Sequence, residues 1–113
     1  MFLFEANFLV TNELILSNNV YLSIPGDINA GSYGTGTLNL DSATIYTDGY
    51  LYVGNHTGST GEVNLTNGAT FTYPAHSMRI GQSGTGTLNV ESYSSLNGAE
   101  IYLGYNAAGN GTL

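Results

Sequence analysis

Two nearly identical glycine-rich phrases, GSYGTGTLNL at residues 31–40 and GQSGTGTLNV at residues 81–90, are the first candidates for binding chemistry in this chain. Such glycine spacing cradles phosphate when Lys and Ser or Thr follow it, and a dinucleotide when a helix follows it. Neither condition is met. The sequence has no lysine, and the Gly-, Thr- and Asn-rich run GTGTLN does not favour a helix. His56 and His76 stand in GNHTG and PAHSM with no second histidine or carboxylate at ligand spacing, so they read as loop residues rather than metal ligands. Asp41, Asp48, Glu62, Glu91 and Glu100 do not recur in phase. A calcium ladder needs Asp at one phase of every repeat, and a hydrolytic solenoid needs carboxylates clustered on adjacent rungs. The chain therefore reads as a non-enzyme, with no catalytic residue, no metal site and no cofactor.

Composition narrows the partners. Only 8% of the 113 residues are charged, against roughly a quarter in ordinary domains, and Arg79 is the single basic residue against eight acidic ones. A net charge of −7 disfavours nucleic acid and anionic membrane, both of which attract a basic face. There is no cysteine, hence no disulfide framework or thiolate metal site. No apolar run is long enough for a membrane-spanning helix, so no membrane insertion is expected. The opening MFLFEANFLV lacks a basic leader region and does not read as a signal peptide.

The two phrases belong to a repeat. Gly36, Gly61, Gly86 and Gly111 follow one another every 25 residues, in GTLNL, GEVNL, GTLNV and GTL. Each repeat holds three apolar pieces. In the first, Leu38 and Leu40, Val63 and Leu65, and Leu88 and Val90 alternate with polar residues, with Leu14 and Leu16 as a fainter earlier copy. The second piece centres on Leu22, Ile45, Phe71 and Leu96. The third ends in glycine, as in INAG, LYVG, MRIG and IYLG, placing Gly54, Gly81 and Gly104 at its close. Alternation with period two over short pieces is the pattern of strands, and no helical period is sustained.

One such unit cannot bury its apolar side alone, but stacked copies can. The expected architecture is all-β: a parallel β-helix, or β-solenoid, of about four rungs with three short strands each. The expected rungs lie near residues 12–35, 36–60, 61–85 and 86–110, a further one starts at 111–113, and residues 1–11 form an N-terminal cap or partial rung. The expected core is Leu38, Leu40, Val63, Leu65, Leu88 and Val90. Gly36, Gly61, Gly86, Gly111, Gly54, Gly81 and Gly104 shape the bends, where glycine is the least hindered residue.

Stacking predicts outward columns. Asn29, Tyr52, Arg79 and Tyr102 form one on the third strand, with Arg79 between Tyr52 and Tyr102, as a stabilising ladder or as an aromatic strip for sugar rings. Asn39, Asn64 and Asn89 form a second, whose amides exchange hydrogen bonds along the stack. Thr37, Glu62, Thr87 and Thr112 lie beside it; flat Thr and Asn arrays suit ice, although Glu62 interrupts this one.

GQSGTGTLNV followed by an apolar piece ending IYLG resembles the passenger-domain repeats of bacterial autotransporters and related repeats of PEP-CTERM-type surface proteins. The resemblance covers about residues 12–113. It implies a right-handed coil exposed at the cell surface, outside the cell, in adhesion, biofilm or matrix structure. The chain has neither the translocator barrel nor the sorting signal of that pattern, and it stops in mid-motif at Leu113. The expected partners are therefore another copy stacked head to tail into a filament, or a continuation of the coil in a longer chain. The expected function is that of a non-catalytic structural or adhesive module. The alternative is a solenoid that recognises glycans through its Tyr column or ice through its Thr and Asn columns.

Overall fold

The computed structural model describes residues 2–3, 8–10, 12–106 and 109–113. Its strands are β1 (Phe2–Leu3), β2 (Phe8–Val10), β3 (Asn12–Ser17), β4 (Tyr21–Ile24), β5 (Ile28–Ala30), β6 (Thr35–Asp41), β7 (Thr44–Thr47), β8 (Leu51–Val53), β9 (Thr60–Thr66), β10 (Thr70–Ile80), β11 (Thr85–Val90), β12 (Ser95–Leu103) and β13 (Asn110–Thr112). Every pairing is parallel and joins a strand to its copy one rung away. The fold is a parallel β-solenoid of about four turns.

The first strand of each rung builds one sheet, ordered β3-β6-β9-β11-β13. The second and third strands build the other. β7 pairs with the first part of β10 and β8 with its last part, so the two stacks merge there, and β12 pairs along both parts. Three separate strands per rung thus hold in the earlier rungs. In the third and fourth, the second and third strands run on through the bend. The N-terminal segment, expected as a cap or partial rung, contributes β1 on β4 and β2 on β5. Residues 1, 4–7 and 11 of that segment lie outside the described residues.

Alternation places the core. In β6 and β9, Leu38, Leu40, Val63 and Leu65 are buried while the residues between them are half-buried on the outer side. The first-strand column runs Leu14, Leu38, Val63, Leu88 in strict register. The second-strand column is Leu22, Ile45, Phe71, Leu96, and the third is Ile28, Leu51, Met78, Ile101. Each fully buried Leu or Ile contributes about 1.5–3 kcal/mol. Val90 departs from its expected place in the core: it is only half-buried, packed against the core edge, as is Leu96. Both sit on the last full rung, where only the short β13 lies beyond.

The glycine phase comes from one corner, where the third strand turns into the next first strand. A Cβ on Gly61 would run into the Ala30 carbonyl and the Gly54 amide. A Cβ on Gly54, whose φ is +71°, would run into the backbone of Thr85 one rung on. Gly36, Gly86 and Gly111 face the same crowding from the backbones of Val10, Val53 and Ile80. The ladder continues through the corner: Gly54 N–H donates to Ala30 O (2.9 Å), Gly81 N–H to Val53 O (2.6 Å) and Gly104 N–H to Ile80 O (2.9 Å). The opposite bend, after the first strand, uses Ser42, Asn67 and Ser92 at positive φ.

Gly61→Ala is therefore expected to destabilise the coil by ~1–3 kcal/mol or more, as overpacking against fixed backbone does. Gly34→Ala, where a Cβ meets nothing within 4 Å, is the matched control and should melt with the parent. Equal melting temperatures for the two variants would contradict this account of the corner.

Candidate functional site

The third strands and the corner after them carry the most varied side chains of the coil. Asn29, Tyr52, Arg79 and Tyr102 share one register position, as alternation requires. Their side chains do not form one outward ladder, however. Asn29 is only 7% exposed, and its Oδ1 accepts from Asn55 Nδ2 at 2.7 Å. Asn55 Oδ1 in turn accepts from Gln82 Nε2 at 3.0 Å, and Gln82 Oε1 accepts from Arg79 Nη1 at 2.9 Å. A chain of amides thus draws Asn29 into the corner and connects it, across three rungs, to the one arginine.

Arg79 lies between Tyr52 and Tyr102 in register, as expected, but its guanidinium meets the rings of Tyr52, Tyr50 and Tyr105 rather than that of Tyr102. Its guanidinium carbon stands 4.0 Å from the Tyr105 ring centroid, 4.8 Å from Tyr50 and 5.8 Å from Tyr52. The long arginine side chain reaches past its own register neighbour to the next corner. Tyr102 instead donates its hydroxyl to Glu100 Oε2 at 2.7 Å and meets the Tyr105 ring edge-on at 5.2 Å. Arg79 Nε also donates to Ser77 Oγ at 3.3 Å. Each exposed cation–π contact contributes about 0.5–1 kcal/mol, and here three converge on one guanidinium.

A bulge shapes this cluster. Between β10 and β12 the register jumps from Tyr73↔Gly98 to Ser77↔Glu100, so Pro74, Ala75 and His76 stand opposite Ala99 alone. Bulges re-aim side chains, and these three are exposed. His76 projects from the bulge and stacks on Tyr50, with centroids 4.5 Å apart and planes 26° apart. The mismatch in length leaves a groove of about 410 Å³, lined by Tyr50, His76, Ser77, Arg79, Glu100 and Tyr102, with Ala75 and Ala99. The other histidine, His56, stacks face to face on Tyr33 at 3.9 Å, outside this groove.

The second predicted column is an amide ladder. Asn89 Nδ2 donates to Asn64 Oδ1 (2.7 Å), Asn64 Nδ2 to Asn39 Oδ1 (2.8 Å), and Asn39 Nδ2 to Glu13 Oε2 (3.4 Å). Asn64 Nδ2 also donates to Glu62 Oε1 at 2.6 Å. Glu13 and Glu62, which interrupt the neighbouring Thr column, are thereby tied into the ladder. Ile15 occupies the ladder's position on the earlier rung and is exposed.

Several members of the groove were legible only in part. Tyr50 and Tyr105 lie near the column in sequence and join it, whereas Tyr46 bonds Asp48 on the second strand. Gln82, Asn55, Glu100 and His76 carry no phase signal. The 20-residue gap from Gly61 to Gly81, against 18 in the neighbouring repeats, is the one trace the bulge leaves in the sequence.

Among the described residues, no three His, Asp or Glu side chains gather closely enough to share a metal ion. The fold and this surface define the chain as a β-solenoid with a lateral aromatic groove. Comparisons with protein-family models, with curated proteins and with solved structures find no match.

Several phenols resist ionisation. Burial pushes the Tyr52 hydroxyl up, the Asp27 carboxylate adds to the effect, and Arg79 partly opposes it. Burial alone pushes Tyr73 up, next to Phe71. The hydrogen bond to Glu100 raises Tyr102. A raised folded value means that the fold favours the protonated phenol. Its contribution is complete below the unfolded value of about 10 and is lost as pH rises through the folded one. Melting temperature should therefore fall as pH climbs above about 10. Tyr73→Phe should fall less steeply than the parent over that window; an equally steep fall would exclude Tyr73 as a source.

Proposed function

We propose that this chain is a non-catalytic structural and adhesive module of an extracellular bacterial surface protein, whose coils stack end to end on one another. The observation that carries this reading is the in-register stacking of the interior columns, which a further rung at β11–β13 would continue, whether it came from a second copy or from more of the same chain. There the interior columns emerge uncovered: Ile101, Leu103 and Leu113 are exposed, at 37%, 49% and 62%. Leu88, Val90, Leu96 and Leu113 line a hollow of about 440 Å³. Each earlier rung presents the same apolar columns and the same free strand edge to the rung that follows it. A second copy of the chain, which repeats these columns at the same spacing, is the partner this reading assigns to that end. Stacking that does not close into a ring yields filaments. The resemblance to bacterial surface repeats supports the location, and the sparsely charged, self-bonding side faces suit an extended scaffold.

Sedimentation velocity and electron microscopy of the purified chain test the reading. The expected result is concentration-dependent association into rods whose width matches one coil. Leu103→Lys, at an exposed end position, should keep the melting temperature and abolish association. A chain that stays monomeric at high concentration, or association that ignores this variant, would overturn the proposal.

A further inference from the structure

We infer that the groove beside Arg79 binds a neutral sugar ring of a glycan. The inference gives the adhesive part of the reading above its ligand. Tyr102 and Glu100 share β12 with the end residues Ile101 and Leu103, so the two failures are told apart by variant: Leu103→Lys should abolish end stacking and leave sugar binding unchanged.

The first observation is where the repeat is broken. A coil that serves only as a spacer needs each rung to resemble the last. Here several departures from the repeat converge on one place. They are the only basic residue, Arg79; one of the two histidines, His76; one of the two prolines, Pro74; and the register jump between β10 and β12. Tyr50, Tyr52, Tyr102 and Tyr105 gather around them through contacts of 4.0–5.8 Å.

The second observation is the chemistry of the walls. The groove's volume, about 410 Å³, falls within the ~300–1,000 Å³ of small-ligand sites. Tyr102 and His76 are both exposed and line the groove with aromatic rings. A pyranose has an apolar C–H face that packs on such rings and a rim of hydroxyls that both donate and accept. Arg79 presents donors only and the Glu100 carboxylate presents acceptors only, and both line the same groove. That pairing matches neighbouring hydroxyls of one sugar. It also leaves the groove with one positive and one negative side chain, so no excess charge selects an anion. The net charge of −7 on the whole chain repels polyanions further.

The third observation is that the groove is held in place before any ligand arrives. Ser77, Gln82 and three tyrosine rings fix Arg79, Tyr102 holds Glu100, and Tyr50 holds His76. Binding then needs little further ordering of side chains.

The test is a titration of the full ¹⁵N-labelled chain, followed by amide chemical shifts. The probes are mannohexaose, maltohexaose and cellohexaose, with hexagalacturonate as the acidic arm. At least one neutral probe should saturate at millimolar concentration and shift the amides of Ser77, Arg79, Glu100 and Tyr102. Tyr102→Ala should weaken that binding by about tenfold or more. Glu100→Gln, exposed and nearly isosteric, should weaken it too and keeps the test standing if Tyr102→Ala does not fold. Tyr33→Ala, on the separate Tyr33–His56 stack, should bind as the parent does. No shift from any neutral probe, shifts centred on another face, or binding of hexagalacturonate alone would each overturn the inference.

Discussion

The corner at which each third strand turns into the next first strand has no room for a Cβ, and the rest of the coil depends on that constraint. Gly54 and Gly61 face one another there across a backbone contact, and the same pair recurs as Gly81 and Gly86 one rung later. The contact lets the N–H of the corner glycine reach the carbonyl of the rung beneath, so the hydrogen-bond ladder continues from the third strand into the turn. Each rung is thus locked to its neighbour at one fixed point. Chain length elsewhere in the rung is free to vary, provided that the total brings the next glycine back to the corner.

That division of labour explains where the unusual surface lies. The bend between the second and third strands is farthest from the locked corner in the constraint it feels. Extra residues there, at Pro74 to His76, leave the core columns in register on both sides, with Phe71 on Leu96 and Met78 on Ile101. The extra length goes outward and becomes the wall of a groove. The glycine corner of the same rung is shorter by the same amount, five residues from Gly81 to Gly86 against seven from Gly54 to Gly61, so the period stays at 25.

Parallel stacking in register also governs the side-chain chemistry. Each outward residue meets its own counterpart one strand spacing away, at about 4.8 Å. Like charges would repel at that distance, whereas an amide both donates and accepts and bonds to a copy of itself. The Asn39–Asn64–Asn89 ladder is the direct result, and it accounts for a surface built with so few charges. Where acids do enter the stack, at Glu13 and Glu62, amide donors from the ladder meet them. The single arginine is surrounded by rings instead, which tolerate a cation on their faces.

The architecture and its registers were determined by the sequence itself, because a 25-residue period and two-residue alternation admit few ways of burying the apolar side. The columns through Leu38, Ile45 and Leu51, the corner glycines and the asparagine ladder all follow from counting along the chain. Counting gave the position of Asn29 on the third-strand column but not its burial, which goes with its hydrogen bond to Asn55 in the corner. It likewise missed that Arg79 reaches Tyr105 and Tyr50 rather than Tyr102, since a long flexible side chain is not bound to its register position. Val90 lies on the pattern of the core, yet its burial depends on what covers the rung. The groove itself was decided only by the tertiary structure. Its residues come from three successive rungs, and a local difference in length between two strands brings them together, a relation that periodicity averages away.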